Sequence, residues 1–270
     1  MNAKRALAAV LGGALAFCSG ASAQWAQQSD DSLPRSADGT PDLSAPAPRT
    51  ADGTPSLAGV WLADIDPKME ILSVEHAQFP RYVINVAADI EPEEVPFQPW
   101  AATLFQHRLE SRGLDTPVAY CKPTGFPWVD AVPLPNKIVQ TPELILILYE
   151  ENTVFRQIFL DGRKTVDGAV PRWMGYSTGK WEDDELVVET TGLNDRHWLD
   201  GMGHPHSDRL RVIERFRRVD AGHLEIEITI DDPGAYTRPF TYTPTYTLQP
   251  EDDLLEYFCT DNEKSSEHYR

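Results

Sequence analysis

Cysteine, basic residues and long apolar runs are all scarce in this chain, and each shortage excludes something. Three cysteines occur, Cys18, Cys121 and Cys259. The longest apolar stretch near the start, residues 6–17, is too short and too rich in Gly and Ala for a membrane helix, which needs about 20 apolar residues. It follows Lys4 and Arg5 and precedes Ala21-Ser22-Ala23, the three-part pattern of a signal peptide cut after Ala23. A lipoprotein reading around Cys18 is weaker, because bulky Phe17 stands where a small residue is wanted. Export to the periplasm or beyond follows, with no membrane contact after cleavage.

Loss of the leader leaves Cys121 and Cys259, for which one pairing exists in an oxidising compartment. The bridge closes a long loop and would contribute about 4 to 5 kcal/mol in the chain-entropy model. It also argues against thiol catalysis. Basic residues fall to 22 against 42 acidic ones, a net charge of −20 that repels nucleic acid and anionic lipid. Also missing are G-x-S-x-G, a P-loop, a Gly-rich dinucleotide turn and H-E-x-x-H. No redox cofactor is implied.

Residues 24–56 are rich in Gln, Ser, Asp, Pro and Ala and contain a near-duplicate, SADGTPDLS followed by TADGTPSLA. That composition reads as a disordered linker. A single barrel domain is expected over residues 57–270, since about 215 residues suffice for one core. Residues 99–112 place Ala101, Leu104, Phe105 and Leu109 on one helical face, with Gly113 as a left-handed stop.

From residue 137 the period changes to two. Residues 144–149 form a continuous apolar run suited to a strand covered on both faces, and residues 154–160 alternate. Asp161-Gly162-Arg163 follows a hairpin pattern. Further strands are read at residues 173–181, 186–191, 210–218, 224–230, 240–248 and 254–259. Sequential hairpins of this kind are expected to close into an antiparallel up-and-down barrel, because closure removes the edges.

The triplet Gly59-Val60-Trp61 resembles the Gly-x-Trp opening of lipocalin-like barrels. Longer strings, among them TADGTPSLAGVW, PFQPWAATLF, KIVQTPELILILYE, RQIFLDGR, WMGYSTGKWEDDELVVETTGLNDRHWLD, GHPHSDRLRVIERFRR and LLEYFCTDN, resemble a large, mostly uncharacterised group of secreted bacterial proteins. The resemblance covers about residues 49–268 and implies a lipocalin-like β-barrel with an export signal. It implies no reaction and no residue roles.

Chemistry is concentrated in residues 194–208, NDRHWLDGMGHPHSD, a connection too long for a barrel of short hairpins unless it is functional or disordered. Three readings compete. His204 or His206, with His197 nearby, acts as acid or base oriented by Asp195 or Asp200. Alternatively, His204 and His206 hold a metal with an Asp as third ligand, although Pro205 lies between them and no second His-rich segment completes the set. In the third reading the loop is purely structural.

Substrate contacts are expected from Tyr149, Arg156, Trp173, Tyr176, Trp198 and Glu214. Arg156 shares a face with Ile158, so it is either a buried anchor for a substrate oxygen or the partner of Glu214. Tyr242 and Tyr246 join the aromatics that could stack on a guest. The expected activity is uptake of a small, partly apolar organic molecule, aromatic, terpenoid or glycosylated, with acid-base lyase, isomerase or hydrolase chemistry. A non-catalytic carrier and a ligand-free structural barrel are the alternatives.

Overall fold

The computed structural model describes residues 33–64, 85–111, 113–164 and 170–260. The signal peptide and residues 24–32 of the expected linker lie outside them. Ten strands form: β1 (Gly59–Ala63), β2 (Asn136–Gln140), β3 (Leu144–Tyr149), β4 (Phe155–Phe159), β5 (Tyr176–Glu182), β6 (Glu185–Thr191), β7 (Arg211–Arg218), β8 (His223–Asp231), β9 (Phe240–Tyr242) and β10 (Thr245–Leu248). Among the described residues one α-helix, α1 (Pro99–Glu110), precedes β2.

Strand order follows the sequence from β1 to β8, and β10 pairs with both β8 and β1. Against β8, β9 and β10 keep one register: Ile230 faces Phe240, Ile228 faces Tyr242 and Leu224 faces Tyr246. They are two halves of one strand, interrupted where Pro244 has no N–H to give and offers its carbonyl to Ile226. The wall is therefore a closed barrel nine strands around, of the lipocalin-like class.

It is not antiparallel throughout. β4 and β5 run parallel, Ile158 beside Ser177 and Phe159 beside Thr178. The turn at Asp161-Gly162-Arg163 is not a two-strand hairpin, since β5 starts at the end of the barrel where β4 also starts. Parallel neighbours need a crossover connection rather than a tight turn. Nor is β3 covered on both faces: Ile145, Ile147 and Tyr149 point inward and are buried, while Leu144, Leu146 and Leu148 are half-buried outside.

Alternation fills the lower half of the barrel with apolar side chains, among them Trp61, Ile138, Ile145, Ile158, Leu186, Phe216, Leu224 and Leu248, all at most 3% exposed. Burying each such side chain contributes about 1.5 to 3 kcal/mol. Here "lower" denotes the end holding the β5–β6 and β7–β8 turns. The upper end holds the β6–β7 connection, α1 and a 3₁₀ turn at Trp128–Ala131. Among the described residues no helix is long and apolar enough to cross a membrane.

Residues 33–56, read from composition as part of a disordered linker, are folded onto the lower end. Each copy of the duplicate makes the same turn, closed by bridges Arg35–Pro41 and Arg49–Pro55. Arg35 and Arg49 donate to the Gly39 and Gly53 carbonyls at 2.7 and 2.8 Å, and Asp38 and Asp52 accept from the amides of Thr40 and Thr54. With the backbone satisfied locally, docking uses buried Leu33 and Ala45, the hydrogen bonds from Ala221 N–H to the Ala45 carbonyl and from Gly222 N–H to that of Leu43, the Arg49–Asp184 ion pair, and an Arg218 hydrogen bond to the Ser56 carbonyl. A Cβ on Gly222 would meet the Leu43 Cα at 3.0 Å, so glycine permits the approach.

Residues 254–259, expected as a last strand, pair with none, because β10 has already closed the barrel onto β1 and no edge remains. They cross the surface as a strap: Leu255 N–H donates to Glu150 Oε2 at 3.0 Å and the Thr153 hydroxyl to the Tyr257 carbonyl at 3.2 Å. The expected disulfide, Cys121–Cys259, ends it, with Cα atoms 5.3 Å apart.

Candidate functional site

Two polar clusters stand at the upper end, one in the connection above the barrel and one inside the wall.

The connection is organised by Asp200, which is fully buried. Its Oδ1 accepts from the N–H groups of Met202, Gly203 and His204 at 3.0 to 3.1 Å. Its Oδ2 accepts from Val86 N–H at 2.9 Å and lies 2.6 Å from His204 Nδ1. The His204 ring is stacked on Phe105 and Phe97, at centroid distances of 4.3 and 5.6 Å. The expected His–Asp pairing is thus present as His204–Asp200. Asp195 is exposed on the outside and makes no hydrogen bond with any histidine.

His206 turns away from His204 and packs against His197, ring centroids 4.3 Å apart. His204 and His206 therefore do not form the H-x-H metal pair considered from sequence, and among the described residues no three His, Cys, Asp or Glu side chains gather as metal ligands. Burial first, and then the neighbouring His206, holds His197 well below the usual histidine range; burial likewise lowers His206. A Cβ on Gly125 would lie 2.5 Å from the His197 ring, so this turn at φ +77° has room for glycine alone.

Inside the barrel, Arg156 is 1% exposed. Its Nε donates to Ser177 Oγ at 3.0 Å, its Nη1 to Glu214 Oε1 at 2.9 Å, and its Nη2 to Thr190 Oγ1 at 2.8 Å and to Glu214 Oε2. The remaining Nη1 hydrogen is on the group that lies 3.6 Å from Asp130 Oδ2. Four of its five donors are hydrogen-bonded, two of them to Glu214, so of the two expectations for Arg156 the structure shows the pairing with Glu214. Burial opposes its charge most strongly, yet Glu214, Tyr149 and Asp130 together outweigh burial and keep the guanidinium protonated.

Asp130 enters this interior from the Trp128–Ala131 turn. Its Oδ1 accepts from the Tyr149 hydroxyl, and its Oδ2 has no hydrogen-bond partner. Burial raises its pKa to about 7, with Glu214 adding and the charge of Arg156 opposing. The hydroxyls of Tyr242 and Tyr246 are buried and also lack partners. Burial and then the Asp130 charge raise both phenols well above their usual range, so they are neutral donors. A carboxyl that titrates near neutrality beside neutral phenols can give or take a proton at an oxygen-bearing guest.

No protein-family model matches the chain, and no curated protein matches it.

Of the expected substrate residues, the structure brings Tyr149, Arg156 and Glu214 together in the interior. Trp198 is buried above it, stacked at 6.2 Å on Trp128 with the Arg108 guanidinium 4.6 Å from its ring. Trp173 lies 6.0 Å from His197. Tyr176 is on the outer face, against Phe159 at 5.4 Å, because β5 directs Ser177 and not Tyr176 inward. Asp130 was missed altogether: it sits in an irregular, proline-spaced stretch with no period to reveal its direction.

Proposed function

We propose that this exported barrel takes a small, largely apolar organic molecule with one carbonyl or hydroxyl oxygen into its upper interior, and moves a proton on it. Asp130 Oδ2 is the proton carrier, Tyr149 fixes the other carboxyl oxygen, and Tyr242 and Tyr246 donate to the guest's oxygen. As carboxylate, Asp130 removes a proton from a carbon next to a carbonyl while the phenols stabilise the oxygen's developing charge. Asp130 then returns that proton to a second atom, an isomerisation, or to a departing hydroxyl, a lyase step.

One observation carries this reading: Asp130 Oδ2, Tyr242 Oη and Tyr246 Oη are all buried without a hydrogen-bond partner, Asp130 Oδ2 having only the Arg156 guanidinium at 3.6 Å, and each such atom left without a hydrogen bond costs about 1 to 3 kcal/mol. The Cys121–Cys259 bridge supports residence in an oxidising compartment, periplasmic or extracellular. A thermal-shift panel of terpenoid and aromatic ketones, alcohols and glycosides tests binding, since a guest raises stability by mass action. Tyr242→Phe and Tyr246→Phe should each weaken a binder about tenfold. Asp130→Asn should keep binding and lose turnover. Binding without turnover in the native chain leaves a carrier; a panel without a stabilising member, or phenylalanine variants that bind as well as the native chain, overturns the assignment of the pocket.

A further inference from the structure

One side of the barrel wall is built unlike the rest. On the outer face of β5 to β8 opposite charges pair across the strands: Arg211 with Glu189 and Asp231, Arg215 with Glu182 and Glu185, and Arg217 with Glu225. Such a ladder faces water. The outer face of β2, β3 and β4 has the same pleat but carries apolar side chains. Register places Leu148 between Lys137 and Phe155, Leu146 between Val139 and Gln157, and Leu144 beside Phe159. Lys137 is the one charged side chain that these three strands point outward, and it is paired with Asp253 at 2.8 Å.

The strap extends this face at its upper border. It is tied to β2 through Lys137, to the turn after β3 through the Leu255 N–H bond to Glu150, and to the start of β4 through the Thr153 bond to the Tyr257 carbonyl. Leu255, Tyr257 and Phe258 are 42 to 45% exposed there, Val139 is 40% exposed and Phe155 55%. Together with the half-buried Leu144, Leu146, Leu148 and Phe159 they offer on the order of 500 to 600 Å² of apolar surface, more than a monomer usually leaves bare. Two such faces would bury about 1,000 to 1,200 Å² in all, the lower end of specific interfaces.

Charge and symmetry select the occupant. Aromatic and apolar residues without unpaired charge are what the centre of an interface holds. The chain has 42 acidic side chains against 24 basic ones, so two copies repel except where they meet without unpaired charge, and β2 to β4 provide that. A partner of different chemistry would need a charged or hydrogen-bonding group to select it, whereas a two-fold pair needs only a face complementary to itself. Bulky Phe155 and Phe159 on β4 and smaller Val139 on β2 supply that complementarity, because a two-fold along β3 sets the β4 side of each copy over the β2 side of the other.

We propose that the outer face of β2 to β4, with the strap above it, is the interface of a homodimer, with Leu146 beside the two-fold axis. Its modest area makes the pair reversible, with a dissociation constant in the micromolar range.

Sedimentation velocity of the full chain after leader removal, from low micromolar to a few hundred micromolar, should show a monomer–dimer equilibrium. Phe155→Lys should weaken it at least tenfold, while Val219→Lys, at an exposed position on the β7–β8 turn, leaves it unchanged. Leu146→Cys should give a disulfide-linked pair under mild oxidation, because a residue beside a two-fold axis meets its own copy; Ile213→Cys, outward on β7, should not. Hydroxyl-radical labelling of the native chain gives a reading independent of how any variant folds: labelling of Phe155, Tyr257 and Phe258 falls as concentration rises, while that of exposed Trp100 on α1 stays constant. A chain that remains monomeric throughout overturns the proposal and leaves the face to a different partner. So does a dimer that protects Trp100 instead, that Phe155→Lys leaves intact, or that Leu146→Cys does not link.

Discussion

The guanidinium carbon of Arg156 stands 3.8 Å from the ring centre of Phe126, while the carbonyl of the same phenylalanine lies 2.7 Å from His197 Nε2. Phe126 is thus a side-chain lid on the interior ion pair and a main-chain anchor for the histidine connection. It is fully buried. Phe126→Leu should preserve the carbonyl bond and lose the cation–π contact, whereas Phe126→Ala also opens a cavity. Urea unfolding should show a loss of about 3 to 5 kcal/mol for Ala and a smaller one for Leu. A Phe126→Leu variant as stable as the native chain would mean that the ring's position over Arg156 contributes nothing.

Arg156 and Glu214 are at most 1% exposed, so removing one partner leaves a bare charge in the barrel. Arg156→Met and Glu214→Leu should each cost about 3 to 5 kcal/mol, and the double variant far less than their sum. Ser177 and Thr190 remain satisfied in all three, because their hydroxyls lie 2.8 Å from each other. Additive losses in equilibrium unfolding would show that the pair is not the unit described.

Arg156, Glu214, Thr190, Tyr242 and Tyr246 could be read as inward-facing from the period of two, because a strand's alternation fixes side-chain direction wherever one face is buried. The pairing of Arg156 with Glu214 follows from that direction plus the cost of a lone buried charge. Asp130 could not be read so: its segment has no period, and its direction is set by tertiary contacts with Tyr149 and Arg156. The partner of His206 was equally hidden. Local spacing suggests His204, but His204 is held by Asp200 and two phenylalanines, and the ring that meets His206 comes from the far end of the same loop. Composition misjudged residues 33–56 because Asx turns satisfy a polar backbone without any core. Strand propensity misjudged residues 254–259 because propensity does not record that the barrel is already closed.

Asp200 gathers five donors, three of them from consecutive residues 202–204. Asp200→Asn keeps the shape but removes the charge and turns one acceptor into a donor facing other donors. A cost of about 3 kcal/mol is expected, confined to the connection. Amide exchange at Val86, Met202, Gly203 and His204 should accelerate by two orders of magnitude or so, while Ile228 and Val188 in the wall stay protected. Unchanged exchange at residues 202–204 would contradict the role given to this carboxylate.

Asp130 should leave a signature in stability against pH. Its carboxyl titrates near 7 in the folded chain, against 3.8 for the unperturbed group. Between about pH 4 and pH 7 the folded chain holds a proton that the unfolded chain has released, so stability falls as pH rises through this window. The contribution is complete below the unfolded value and gone above the folded one, with a slope of at most about 1.4 kcal/mol per pH unit. His197 and His206 act in the opposite sense, since their depressed pKa values mean that the unfolded chain takes up protons first as pH drops below about 6.5. The native profile alone is therefore flattened, and the difference between the native chain and Asp130→Asn isolates the carboxyl. Urea unfolding from about pH 4 to pH 8 should show the native chain's advantage over Asp130→Asn shrinking steadily until neutrality and constant beyond it. Parallel profiles would mean that Asp130 ionises in the barrel as readily as in water, and would remove the proton carrier from the interior site.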